Sequence, residues 1–353
     1  MTRIGDYAFV NAKVRAMRSR MLTDTQIESL LAARGLDETI LALRQTPYAR
    51  IADDLAVGYD LRQTQLALEE EEVDLHLRLA GLLSGCPAAV VRHLATSYEI
   101  KNLKTVLRLW HRSLPIEPAY LLRDFIVHRL PLAEIAQSEN IQTVVRLLEN
   151  TPYAAAVSAA VDEFTRGHAL FPVEASLDTT YFQELLQLVD GLPSSDRNAA
   201  RRVIGGEIDL CNLNWVLSCK FYHRLPASKM SQYLIPSGLR ILPEVAVRLY
   251  DADKLQSVLA EVADLPENVA EKARGLDGSS AGVLLVAVVN QLLLREARRV
   301  LSGFPFNIGT VLGFLVLKRL ETKNLIVLLE CVFWGKDPGA RRSYPVRAGG
   351  LVS

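Results

Sequence analysis

The chain has 353 residues, with 40 Lys and Arg against 40 Asp and Glu, and half of its residues are hydrophobic. Such a length accommodates two or three domains and a sizeable core, and a formal net charge of zero leaves no overall field to draw the molecule onto nucleic acid or an anionic membrane. Any charged docking surface must be local.

At the start, Met1 to Val10 carries charge and an amphipathic pattern where a secretory signal would have an unbroken apolar core, so no export is implied. Apolar residues then recur at helical spacing, as in Leu121, Leu122, Phe125 and Ile126, and in Ile141, Val144, Val145 and Leu148. Alternation of period two is scarce, and Pro and Gly fall at intervals that suit breaks between helices. The β-branched run from Val283 to Val289 could pass for a buried strand, but its continuation through Leu301 predicts a helix. Ala281 to Leu294 and Phe304 to Leu317 are each shorter than the roughly 20 residues of a bilayer crossing, which predicts core helices. An all-α fold is expected. Cys86, Cys211, Cys219 and Cys331 lie far apart without a Cys-x-x-Cys pair, so they read as reduced, buried thiols of a cytoplasmic protein rather than a zinc site or disulfide framework.

Internal repetition is the strongest signal. Glu99-Ile-Lys-Asn-Leu103 recurs as Asp209-Leu-Cys-Asn-Leu213 and as Glu321-Thr-Lys-Asn-Leu325, and the asparagines are separated by 110 and 112 positions (102 to 212 to 324). Upstream of each lies a proline marker: Thr46-Pro-Tyr-Ala49, its match Thr151-Pro-Tyr-Ala154, and Pro266. Downstream of each lies an aromatic segment, Trp110 to Pro115, Phe221 to Pro226 and Phe333 to Pro338. A unit of about 110 residues exceeds the short solenoid repeats and reads as a small helical domain repeated, with divisions at 1–115, 116–226 and 227–353.

On a helix the acid at i, Asn at i+3 and Leu at i+4 share one face. Buried unpaired, the two polar groups would be costly, so they are expected to bond each other, a nearby backbone group or a neighbouring helix and thereby specify the fold. The nine residues are Glu99, Asn102, Leu103, Asp209, Asn212, Leu213, Glu321, Asn324 and Leu325. The competing reading is that Glu99, Asp209 and Glu321 line a common cavity and bind a partner directly.

These motifs, together with Tyr7-Ala-Phe-Val-Asn-Ala-Lys-Val-Arg-Ala-Met17 and Pro305-Phe-Asn-Ile-Gly309, give nearly the whole chain a pattern that resembles the central-axis subunit family of V-type and A-type ATPases. Its members bear the letter C in bacterial and archaeal enzymes and d in eukaryotic ones. The resemblance implies three similar helical domains in a pseudo-threefold, funnel-shaped arrangement. It further implies a peripheral position on the cytoplasmic face of the membrane proteolipid ring, a cavity that receives the central stalk, and a passive role in transmitting rotation. The second copy departs from the pattern with Asp209 for Glu and Asn214 in place of Lys104, and the third has Ile326 there, so identical roles for the copies are not implied.

Nothing in the sequence forms a catalytic constellation. Gly335-Lys-Asp-Pro-Gly339 lacks the glycine and hydroxyl spacing of a phosphate-binding loop, and the six histidines are scattered without His-x-x-x-His pairs. No catalytic, metal or cofactor residue is therefore assigned, and neither nucleotide nor nucleic-acid binding is expected. Glu69 to Glu72 with Asp74 reads as a solvated helix face, and Trp110, Trp215 and Trp334 as apolar anchors inside successive copies, exposed binding aromatics being the other reading. A helical scaffold of an unrelated complex, with a concave peptide-binding surface, is the alternative function that periodicity alone permits.

Overall fold

The computed structural model describes residues 4–58, 60–117, 121–123, 125–252 and 278–343. Among them the regular structure is helical, the one extended pairing being an isolated bridge between Phe125 and Arg129. The chain gathers into two compact units, Gly58–Leu192 and Met1–Val57 with Pro193–Ser353, so the first repeat segment contributes to both.

In the first unit, α1 is here Leu61–Gly81 and α2 is Gly85–His111, followed by the short helices α3 (Leu132–Ala136), α4 (Ile141–Leu147), α5 (Ala154–Ala159) and α6 (Val161–Gly167), and by α7 (Phe171–Asp190). α2 packs against α1, α3 and α7. Its fully buried Leu103, Val106 and Leu107 recur at helical spacing and enter a cluster with Ile135, Val144, Leu148, Val157 and Val173. The acidic run on α1 is only partly a solvated face. Glu69 and Glu72 are buried, Glu69 against Lys101 and Glu72 Oε2 accepting the Tyr98 hydroxyl at 2.6 Å. The charge pattern missed this because a 21-residue helix packed along its length shows more than one face to neighbours.

The second unit starts with four N-terminal helices, Ile4–Arg18, Asp24–Ala32, Leu36–Arg44 and Ala49–Val57. It continues with α8 (Ser194–Leu217), α9 (Ala227–Met230), α10 (Pro243–Asp251), α11 (Gly278–Ser302), α12 (Gly309–Phe333) and α13 (Pro338–Ser343). The Val283 run lies in α11, and Gly309 to Leu317 of α12 are buried throughout, as expected of core helices. α11 and α12 meet where a Cβ on Gly313 would come within 2.8 Å of the Ala297 carbonyl. No described helix is long and apolar enough to cross a membrane.

α8 and α12 run parallel. Asp196 Oδ1 accepts the Ile308 amide at 2.8 Å, and Glu207 pairs with Arg319. Each contact joins positions 112 apart (196 to 308, 207 to 319), the interval that separates Asn212 from Asn324. The packing register therefore equals the sequence repeat.

All three motif helices end alike, in a left-handed residue: Ser113 (φ 53°), Arg224 (φ 48°) and Gly335 (φ 64°). The following amide returns to the last turn, from Leu114 to the Leu109 carbonyl (2.9 Å) and Lys336 to Cys331 (2.9 Å) in the Schellman arrangement that satisfies terminal carbonyls, and from Leu225 to Cys219 (3.2 Å) one position further back. From the motif asparagine to this residue is 11 positions in the first and third copies (102 to 113, 324 to 335) and 12 in the second (212 to 224). The extra residue is absorbed by a π-helical turn, Ser218–His223.

Two further expectations are corrected. The described residues Leu121 to Arg123 and Phe125 to Ile126 are irregular despite their helical spacing, because side chains of α1 and α2 take amides in and just beyond this stretch: Asn102 that of Leu122, Glu70 that of Arg123, and Glu99 those of Val127 and His128. Cys219 and Cys331 are buried, but Cys86 is exposed and Cys211 only half-buried.

Candidate functional site

The first motif lies on α2. Asn102 clamps one residue from both sides, its Oδ1 accepting the Leu122 amide at 3.0 Å while its Nδ2 donates to the Leu122 carbonyl at 3.2 Å. One turn earlier, Glu99 Oε1 accepts the amides of Val127 (2.6 Å) and His128, and Oε2 accepts the Tyr153 hydroxyl (2.6 Å) and lies 2.9 Å from His128 Nδ1. Burial, then the Glu99 charge, push the Tyr153 hydroxyl well above its ordinary range, so it stays a donor.

The second motif, on α8, repeats the clamp. Asn212 Oδ1 accepts the Ile235 amide (2.9 Å), and Nδ2 donates to the carbonyls of Ile235 (2.9 Å) and Ile241 (3.0 Å). Asp209 accepts the amides of Arg240 (3.0 Å) and Ile241 (2.8 Å). The intervening loop passes so close that a Cβ on Gly238 would fall 2.5 Å from Asp209 Oδ1. Burial raises the Asp209 carboxyl above the usual range, against the opposing pull of the Arg240, Ile241 and Leu239 amides and the Arg240 charge.

The third motif, on α12, draws its partners from the other end of the chain. Glu321 Oε2 accepts the Leu22 amide (2.7 Å), and Oε1 accepts the Tyr48 hydroxyl (2.7 Å) and Lys318 Nζ (3.0 Å). Lys318 also donates to the Tyr48 oxygen at 2.7 Å and sits 4.4 Å over that ring. Asn324 is half-buried, and its side chain makes no hydrogen bond to another described residue.

The three carboxylates are 2%, 3% and 1% exposed, in the order Glu99, Asp209, Glu321, and each faces backbone amides of its own unit. Leu103, Leu213 and Leu325 are buried beside them. What sequence reasoning missed is the tyrosine. Tyr153 and Tyr48 belong to the two Thr-Pro-Tyr-Ala segments and are held identically, each amide accepted by the preceding Thr hydroxyl (3.3 and 3.1 Å), which itself donates to the carbonyl of Leu148 or Leu43. The marker was visible. Its partner was not, since spacing tied each marker to the next motif downstream, whereas Tyr153 joins Glu99 behind it and Tyr48 joins Glu321. The Pro266 marker lies outside the described residues.

The tryptophans divide. Trp215 is buried and Trp110 half-buried, while Trp334 is 71% exposed, contrary to an anchoring role inside its copy.

Fold and site together define an all-helical repeat protein whose recurring carboxylates are engaged by its own backbone amides. The family described as ATP synthase (C/AC39) subunit matches residues 10–342, and the chain belongs to that family. Similar chains include the C subunit of the A-type ATP synthase of Methanocaldococcus jannaschii, 24% identical over 335 residues that cover 93% of this chain and 83% of the relative. The protein of the same name from Methanothermobacter thermautotrophicus is 26% identical over 339 residues, covering 94% and 85%. That of Methanosphaera stadtmanae is 23% identical over 329 residues, covering 91% and 83%.

Proposed function

We propose that the chain is the non-catalytic central-axis adaptor of a rotary V/A-type ATPase, linking the central stalk to the cytoplasmic face of the membrane proteolipid ring and transmitting torque between them. The carrying observation is family membership over nearly the whole length, to which the geometry adds a mechanical argument. A torque-bearing part needs loops that do not yield. Here a buried carboxylate and, in two copies, an asparagine fasten a loop to a long helix, and the low dielectric around each strengthens those bonds. In this reading the nine motif residues are structural, and three diverged helical modules make a pseudo-threefold, funnel-shaped body.

Gentle detergent extraction of membranes followed by capture of the tagged chain tests the reading. ATPase stalk and ring subunits are expected to remain bound in fixed proportion. Recovery of the chain alone overturns it and leaves a scaffold of another complex.

A further inference from the structure

We propose that His93 makes the seam between α2 and α7 an acid-sensitive joint, closed while the imidazole is neutral and loosened when it takes up a proton. The inference concerns the first unit alone and goes beyond the adaptor reading, which it does not require.

His93 stands nine positions before Asn102, and the residues nine before Asn212 and Asn324 are Val203 and Leu315 (102 minus 93, 212 minus 203, 324 minus 315). Both are buried, 3% and 4% exposed, so hydrocarbon fills the same place on the other two motif helices. Packing at this position does not require an imidazole. In the first unit the His93 side chain is 12% exposed, its ring lies nearly parallel to that of Tyr181 at 5.0 Å, and Nε2 is 2.9 Å from the Tyr181 carbonyl on α7. A carbonyl only accepts, so Nε2 carries the hydrogen and the neutral ring leaves Nδ1 bare. Glu184 Oε2 lies 3.9 Å from Nδ1, beyond hydrogen-bond range.

The charges around the ring do not offset a buried imidazolium. Glu184, also on α7, is 43% exposed, where water screens it. Glu99, six positions further along α2, is committed to Val127, His128 and Tyr153, and Tyr153 is held as a neutral donor. His128, in the loop that Glu99 fastens, adds like charge when protonated. Further along the seam Lys104 is paired with Asp178 and Arg108 with Glu174. Burial, the largest influence, together with His128 outweighs the Tyr181 carbonyl, Glu184 and Glu99 and holds the His93 imidazole below its ordinary value of about 6.5. An opened seam binds the proton more readily than a closed one, so the stability that His93 lends is full above about pH 6.5 and is lost as pH falls through the lowered value.

Hydrogen exchange of the α7 amides from Tyr181 to Leu185, measured in the full chain at about pH 7.5 and about pH 5.5, tests the proposal. Protection is expected to fall about tenfold at the lower pH in the unaltered chain, to stay level in His93→Leu, which copies the other two motif helices, and to fall by nearly as much in His128→Gln. Equal protection at both pH values in the unaltered chain overturns the proposal. So does a full drop in His93→Leu, or its disappearance in His128→Gln. Should His93→Leu not fold, the His93 ring proton signals of the unaltered chain decide: titration below about pH 6.5 supports the joint, and titration at or above it overturns it.

Discussion

The motif on α2 and the motif on α12 use the same acid and the same tyrosine segment, yet they close very different stretches of chain. Around α2, Glu99 and Asn102 fasten a loop that follows 20 to 29 residues later, and Tyr153 follows 54 later. Around α12, Glu321 reaches back 299 residues to Leu22 and 273 to Tyr48. The third motif is thus completed by the N-terminal segment, while the Asn324 side chain makes no such clamp among the described residues, the positions 20 to 23 beyond it lying outside them. Spacing within a copy does not reveal which stretch supplies a partner; the chemistry of the partner, a tyrosine hydroxyl and a backbone amide, stays the same.

The largest expected effect comes from removing the acid. Glu99→Ala strands two amides, a tyrosine hydroxyl and His128, and Glu321→Ala strands the Leu22 amide, Tyr48 and Lys318, so each is expected to cost about 3 kcal/mol in urea unfolding. Limited proteolysis sharpens the contrast: Glu321→Ala is expected to open cleavage first near residue 20, and Glu99→Ala near residue 125. The same first site in both variants breaks the comparison.

Next come the asparagines. Asn212→Leu leaves the Ile235 amide and two carbonyls unpaired and is expected to destabilise by about 1 to 3 kcal/mol, whereas Asn324→Leu stays within about 0.5 kcal/mol. Equal losses would show that the third copy is clamped after all.

Asp209 adds a pH signature. Its carboxyl is raised by burial, so the folded chain keeps a proton that the unfolded chain releases above about pH 4. The associated stability is present below that pH and is lost as pH rises through the raised value. Asp209→Asn is expected to remove this share of the slope, and a steeper fall in the variant contradicts the burial argument.

The smallest effect concerns the helix ends. Arg224 holds a left-handed conformation that Gly335 adopts freely at the matching position, so Arg224→Gly is expected to stabilise the isolated chain by about 1 kcal/mol, and Gly335→Ala to destabilise it by a similar amount. No change in either would mean that the cap is not formed in solution.

Helical content, the threefold recurrence, the family and the burial of the motif carboxylates were all legible in the amino-acid order, because each rests on local periodicity or on a pattern repeated at fixed intervals. Leu121 to Ile126 was not. A helical spacing of apolar residues there lost to side chains of the two long helices, Asn102 taking the Leu122 amide, Glu70 that of Arg123, and Glu99 those of Val127 and His128 just beyond. Nor was the division of Glu69 to Glu72 between buried and half-buried positions, since a run of like charges carries no record of which neighbours will face it. The pairing of Tyr48 with Glu321, the parallel register of α8 and α12, and the exposure of Tyr222 and Trp334 were decided only in three dimensions. Each depends on which distant surfaces meet, and contacts across hundreds of residues leave no local periodicity to read.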